Sequence, residues 1–305
     1  MNNLPELTKM YLHDCEYRKK LNHKTVKAYR IDLQQFHLFC ISRTDPFSKQ
    51  AITDYIESLH VQYKPRTAKR KIACLRAFVN YLVFEELIEG NPLDKVQMHF
   101  KEALVLPRAL PLKAIQKLLY TAHKASNFQK TESAYRNVVR DVAVLELLFA
   151  SGLRVSELCS IQKEDIDLRE GYVRVNGKGA RERYVYISNA EVLSALRQYK
   201  KLFQKSIEEI GWFFVNRLGN RLGEQSVRTL IHNYAYLAKL NNHVTPHMIR
   251  HSFATLMLEE DVDIRYIQSI LGHSSITTTQ IYTHVSTSKQ RKIMSRKHPR
   301  NRLQM

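Results

Sequence analysis

The sequence predicts a mainly α protein in two parts: an N-terminal helical domain, and a C-terminal mixed α+β domain with a small antiparallel sheet. Three observations predict it. Up to Glu89 the apolar residues recur at helical spacing, with no alternating segment among them. From Lys95 to Pro111, a stretch carrying Pro107 and Pro111 reads as a connection. Beyond it the helical pattern is interrupted by two short alternating segments, Tyr172–Val175 and Arg183–Ile187, around a glycine-bracketed turn.

In the first part a helix is expected near Glu6 to Lys20. A second follows Asn22, a residue suited to the N-cap, and sets Val26, Leu33, Phe36 and Phe39 on one face. A third lies near Lys49 to His60. A fourth opens at Pro65, fit for a first helical turn, and turns Ile72, Leu75, Val79 and Leu82 inward. Glu89-Gly90-Asn91-Pro92 stops it. The expected boundaries are a helical domain over 1–98, a linker over 99–111, a second domain over 112–288 and a basic tail over 289–305.

The second part opens with a helix from Leu112 to Ala122, then a polar loop from Lys124 to Tyr135. An apolar helix, Val138 to Ala150, ends at Ser151-Gly152. Asp165–Leu168 reads as a short strand. The hairpin turns through Asn176-Gly177-Lys178-Gly179-Ala180. Helices follow at Glu191–Lys205, Ser226–Leu240 and Ile264–Leu271, and Gly272 supplies the left-handed residue that the last one needs at its end. Trp212-Phe213-Phe214-Val215 reads as core.

Composition narrows the function. Hydrophobic residues at 44% and charged residues at 25% describe a globular chain, not a disordered one. There is no run of about 18 apolar residues to span a membrane. The opening Met1-Asn2-Asn3-Leu4-Pro5-Glu6 lacks the pattern of a secretory signal. Cys15, Cys40, Cys74 and Cys159 are too scattered for a disulfide framework or a zinc ribbon, and a reducing cytoplasm is expected. The net charge of +19 points to a polyanion, with nucleic acid foremost. Lys24, Lys27 and Arg30 recur along the second helix. Arg66, Lys69, Arg70, Lys71 and Arg76 crowd the fourth, where cations oppose the helix dipole unless an anion lies near. Lys24, Lys27, Arg30, Arg66, Lys69 and Arg70 are therefore the candidate DNA-binding residues.

A second set of residues has phosphate chemistry. Arg154, in Ser151-Gly152-Leu153-Arg154-Val155-Ser156-Glu157-Leu158, follows a glycine break at a helix start, where its guanidinium can fork onto a phosphate. Glu157, one turn on, can orient it. Arg250 offers a second fork, and two arginines on the non-bridging oxygens would stabilise a pentacoordinate transition state. His247 shares a helix face with Arg250. His251 stands four residues from His247, the spacing of a zinc pair. Met248 sits where such a motif carries glutamate, so no metal and no cofactor are expected, and His251 is assigned to the core. Gly272 would turn His273 out of its helix. Lys178 stands at the hairpin tip, and Tyr282 offers a nucleophilic hydroxyl close in sequence to His273.

Taken with Thr245-Pro246-His247-Met248-Ile249-Arg250-His251, Leu271-Gly272-His273-Ser274, Gly177-Lys178-Gly179 and Thr279-Gln280-Ile281-Tyr282-Thr283-His284-Val285, the chain resembles the tyrosine recombinases, most of all the Xer-type enzymes. Five motifs in order, over nearly the whole length, carry the resemblance. It implies a site-specific recombinase that cleaves and rejoins DNA without metal or ATP. In that scheme Tyr282 forms a 3′-phosphotyrosyl link, Arg154 and Arg250 clamp the phosphate, and Lys178 protonates the leaving 5′-oxygen. His247 accepts the tyrosine proton and His273 hydrogen-bonds the phosphate. The implied partners are double-stranded DNA with paired recombination sites and three further protomers, either copies or a related recombinase, exchanging strands through a Holliday junction. The implied role of the N-terminal domain is core-site DNA binding. The basic tail is expected to dock on a neighbouring protomer. The alternative is a type IB topoisomerase-like enzyme relaxing DNA as a monomer, which the order of the motifs disfavours.

Overall fold

The computed structural model describes residues 4–96, 109–176, 182–240 and 243–272. The chain divides into two compact units, Met1–Leu104 and Val105–Met305. Most of the expected linker, at 99–108, and the expected tail, at 289–305, lie outside the described residues.

The N-terminal unit is helical: α1 (Leu4–His13), α2 (His23–Cys40), α3 (Lys49–Gln62) and α4 (Pro65–Phe84). The local chemistry fits the starts of α2, α3 and α4. The Asn22 side chain accepts the Lys24 N–H at 2.9 Å, Ser48 accepts the Ala51 N–H at 3.2 Å, and Pro65 occupies the first turn of α4. Val26, Leu33 and Phe36 of α2 meet Ile72, Leu75, Val79 and Leu82 of α4 in one core. The expected single first helix ends early and passes into a π-helical turn, Asp14–Arg18. The wider turn brings the Lys19 ammonium to 2.7 Å from the buried Asp14 and over the rings of Tyr11 and Tyr81, an ion pair that a continuous α-helix would not close.

One of the outward cations of α4 is in fact internal. Lys71 is 3% exposed. Its ammonium donates to Asp32 at 2.8 Å and to Gln35, beneath the ring of Tyr63. Asp32 is itself 2% exposed and also takes the Arg70 fork. Helical periodicity places Lys71 beside Ile72 on the inward side, and the buried carboxylate is what makes a charge tolerable there.

The C-terminal unit is built around α6 (Glu132–Ser151), which packs against α5 (Leu112–Ser126), α8 (Ala190–Ile210) and α10 (Pro246–Glu259). The polar stretch 124–135 is mostly helix, not loop. α5 runs to Ser126 and Thr131 caps α6 by accepting the Ala134 N–H at 3.2 Å, which leaves only residues 127–131 between them. Helix ends facing solvent are polar by necessity, so their composition imitates a loop. A single turn, α7 (Val155–Leu158), follows α6. The sheet has the order β1 (Ile166–Asp167), β2 (Tyr172–Asn176), β3 (Glu182–Tyr186), all antiparallel. Val173 pairs with Val185 and Val175 with Arg183, so these four share a face, and the three valines are buried. Phe213, Phe214 and Val215 are fully buried. The Tyr199 hydroxyl donates to the Phe213 carbonyl at 2.9 Å and accepts the Val215 N–H at 3.0 Å. α9 (Glu224–Leu237) and α11 (Ile264–Leu271) complete the unit.

Candidate active site

The site starts from a glycine. α6 ends at Gly152 with φ +61°, a left-handed turn that a side chain would oppose. A Cβ there would fall 2.6 Å from Phe253 and 2.9 Å from Leu271. The tight turn therefore seats α6 directly against α10 and α11. It also brings Arg154 to the start of α7, where the Glu157 carboxylate accepts the Arg154 backbone N–H at 2.8 Å.

Three chain segments converge on this corner. Arg154 donates from Nη1 to Glu157 at 2.8 Å and to the Leu271 carbonyl at 3.4 Å. Arg250 donates from Nη2 to that same carbonyl at 2.7 Å and from Nη1 to the Gly152 carbonyl at 2.7 Å, and it lies 3.8 Å from Glu157. The two arginines differ in access: the Arg154 side chain is 38% exposed and that of Arg250 is 6% exposed. One is anchored within the fold and the other faces outward, an arrangement able to receive an anion from solvent. Burial alone would raise the pKa of Glu157. The hydrogen bonds and charges of Arg183 and Arg154 outweigh it, so the carboxyl is held below its ordinary value and stays ionised.

His247 sits in the first turn of α10. Pro246 precedes it, and Thr245 caps the helix by accepting the Met248 N–H at 3.2 Å. Burial first, then the positive charges of Arg250, Arg228 and Arg154, lower its pKa from the ordinary imidazole value. The helix N-terminus acts in the same direction. A neutral imidazole at this place can accept a proton. His251, one turn on, is 4% exposed and belongs to the interior, together with Ile249 and Phe253.

The structure thus brings Arg154, Glu157 and Arg250 together, with His247 in their field. Gly272 takes the left-handed conformation at the end of α11, φ +63°. Lys178, His273 and Tyr282 lie outside the described residues. In the N-terminal unit Lys24, Lys27, Arg30, Arg66, Lys69 and Arg70 are all exposed on α2 and α4. Arg70 differs in being forked onto Asp32.

Two residues escaped the motif pattern. Arg183 donates to both oxygens of Glu157, at 3.1 and 2.9 Å. A signal for it existed: the alternation of β3 puts Arg183 in phase with Val185, on the buried face, and a charge there demands a partner. Arg228 of α9 pairs with Glu224 at 2.8 Å and contributes to the field at His247. Nothing in its local sequence marked it.

A model of the phage integrase family matches residues 109–289, and one of the phage integrase N-terminal SAM-like domain matches residues 9–86. The chain belongs to the phage integrase family. It is a tyrosine recombinase, a DNA-cleaving and DNA-rejoining enzyme. A tyrosine recombinase of Agathobacter rectalis is 47% identical over 302 residues, covering 98% of each chain. The tyrosine recombinase XerC of Bacillus subtilis is 34% identical over 310 residues, again covering 98% of each. The XerH site-specific recombinase, solved with a palindromic difH substrate as a post-cleavage complex, shares the fold. Its TM-score is 0.73 at 19% identity, over 95% of this chain and 84% of that one. Among the described residues no helix is long and apolar enough to cross a membrane.

Proposed function

We propose that this recombinase performs conservative site-specific recombination in the cytoplasm, on double-stranded DNA bearing paired sites. The Tyr282 oxygen attacks the scissile phosphorus and its proton passes to His247. The 5′-oxygen departs with a proton from Lys178, leaving a 3′-phosphotyrosyl ester and a free 5′-hydroxyl. Arg154 and Arg250 compensate the charge that grows on the non-bridging oxygens, and His273 adds a hydrogen bond to one of them. The 5′-hydroxyl of a partner strand reverses the step. Because the ester conserves the bond, no nucleotide is consumed. Two rounds of exchange pass through a Holliday junction in a tetramer, of identical protomers or with a related recombinase. The helices α2 and α4 present Lys24, Lys27, Arg30, Arg66, Lys69 and Arg70 to the core site, and the tail over 289–305 docks on a neighbour.

The observation that carries this reading is the shared acceptor. Arg154 and Arg250, remote in sequence, donate to one carbonyl, that of Leu271, beside one ionised carboxylate. Two guanidinium groups converging on one point suit a phosphate better than any neutral ligand. The XerC-like relatives, aligned end to end, favour recombination over the topoisomerase alternative. The test uses a nicked duplex that traps the covalent complex. Tyr282→Phe binds this duplex as the unmodified protein does and yields no adduct. An adduct formed by Tyr282→Phe would sink the assignment of the nucleophile.

A further inference from the structure

Arg183 is a third arginine at this corner, and all three of its nitrogens are engaged. Nη1 and Nη2 donate to the two oxygens of Glu157 at 3.1 and 2.9 Å, and Nε donates to the Ile270 carbonyl at 2.7 Å. Its side chain is 12% exposed. A second feature depends on it. A Cβ on Gly272 would lie 2.7 Å from Arg183 Nη1 and 2.9 Å from Cζ, so the glycine leaves room for the guanidinium as well as ending α11. Glu157 is thereby shared among three arginines, with Arg154 at 2.8 Å and Arg250 at 3.8 Å.

A lone carboxylate at this point would work against a phosphate site. It would repel the phosphate and hold the outward guanidinium of Arg154 as its own counter-ion. We propose that Arg183 is a positioning residue for the cleavage step. It neutralises Glu157 and pins both its oxygens, so that Arg154 and Arg250 keep their charge for the scissile phosphate. The inference rests on the reading that those two arginines clamp the phosphate. Arg183 is assigned no direct contact with substrate, because each of its nitrogens is anchored to a protein acceptor and its side chain is largely buried. It also fixes the end of α11, whose Leu271 carbonyl orients the other two.

The test compares covalent-adduct rates on two nicked duplexes. One carries an ordinary scissile phosphate. The other carries a methylphosphonate, in which a methyl group replaces one non-bridging oxygen and the negative charge is gone. Arg183→Gln is expected to form adduct about ten- to a hundredfold more slowly on the phosphate, the scale of a displaced reacting group. Its Kd for the duplex is expected to change by less than about threefold. On the methylphosphonate the deficit should nearly vanish, since no charge remains to be compensated. Arg183→Lys keeps the charge and loses the fork, so its rate should fall between. Gly272→Ala displaces the guanidinium without removing it, and should show the same charge-dependent deficit. An unchanged rate on the phosphate overturns the proposal. So does an equal deficit on both duplexes, which is what simple loss of structure would produce. Arg154→Ala, run alongside, tests the underlying clamp separately. If its defect persists undiminished on the methylphosphonate, the clamp reading fails whatever Arg183 does.

Discussion

Gly152→Ala separates two physical costs that the candidate active-site corner combines. The first is conformational: at φ +61° an L side chain costs about 1–2 kcal/mol. The second is steric: a Cβ placed 2.6 Å from Phe253 and 2.9 Å from Leu271 forces a packed side chain to move, at about 1–3 kcal/mol. Gly211 provides the comparison. It ends α8 with φ +74° and has nothing within 4 Å of a built Cβ, so Gly211→Ala carries the conformational cost alone. Taking about 3 kcal/mol for Gly152→Ala, and about 2–4 °C per kcal/mol for a unit of this size, its melting midpoint should fall by about 6–12 °C. Gly211→Ala should lose about half of that. The assay reads the correct unit by itself: Trp212 is the single tryptophan of the chain and lies in the C-terminal unit, so its fluorescence reports that unit's unfolding. A Gly152→Ala midpoint no lower than that of Gly211→Ala would refute the argument that close approach, rather than backbone angle, dominates at this corner. The same substitution should slow adduct formation, because the Gly152 carbonyl holds Arg250 at 2.7 Å.

Four other substitutions test the charge pairs of the two units. Glu157→Gln should destabilise the C-terminal unit by about 3–5 kcal/mol at neutral pH, the scale of a broken buried ion pair. The folded-state pKa of Glu157 is lowered, so its contribution is present above the ordinary carboxylate value and is lost as pH falls through the folded value. Denaturation midpoints of the two proteins should therefore converge on acidification, and a gap independent of pH would contradict the ion-pair account. In the N-terminal unit, Asp32→Ala should cost about 3–5 kcal/mol by stranding Lys71 in the interior, measured by circular dichroism; a loss below about 1 kcal/mol would show that Lys71 escapes to solvent. Lys27→Ala should lower the slope of log binding constant against log salt by about 0.9, as for one released counter-ion. Arg70→Ala should lower it by less, because Asp32 already holds that guanidinium. Equal slopes for the two variants would count against Arg70 being engaged.

The sheet and the α4 charges illustrate how far local pattern reaches. Period-two alternation located β2 and β3 to within a residue, because one face of the hairpin must be apolar to pack on the helices. The same alternation put Arg183 on that apolar face, yet a lone arginine in a strand has no local signature of its partner. Glu157 is 26 residues away and meets it only through the fold. Lys71 is the mirror case. Among five cations in one helix segment, composition suggests a uniform basic face, while the helix turn and a carboxylate on α2 decide that this one is interior. The 124–135 stretch misled in the opposite way, since polar residues at two helix ends read as a loop.

By itself the sequence determined the kind and order of most elements, the helix caps at Asn22 and Gly272, the glycine break at Gly152 and the residue types of the candidate site in motif order. Those follow from backbone sterics and hydrophobic spacing, which act over a few residues. Only the tertiary structure decided that Arg154 and Arg250 point at one carbonyl, that Arg183 joins them at Glu157, and that burial, then the charges of nearby arginines, lower the pKa of His247. Charges interact through space and not along the chain, so the balance of three arginines against one carboxylate exists only once α7, β3, α10 and α11 are packed.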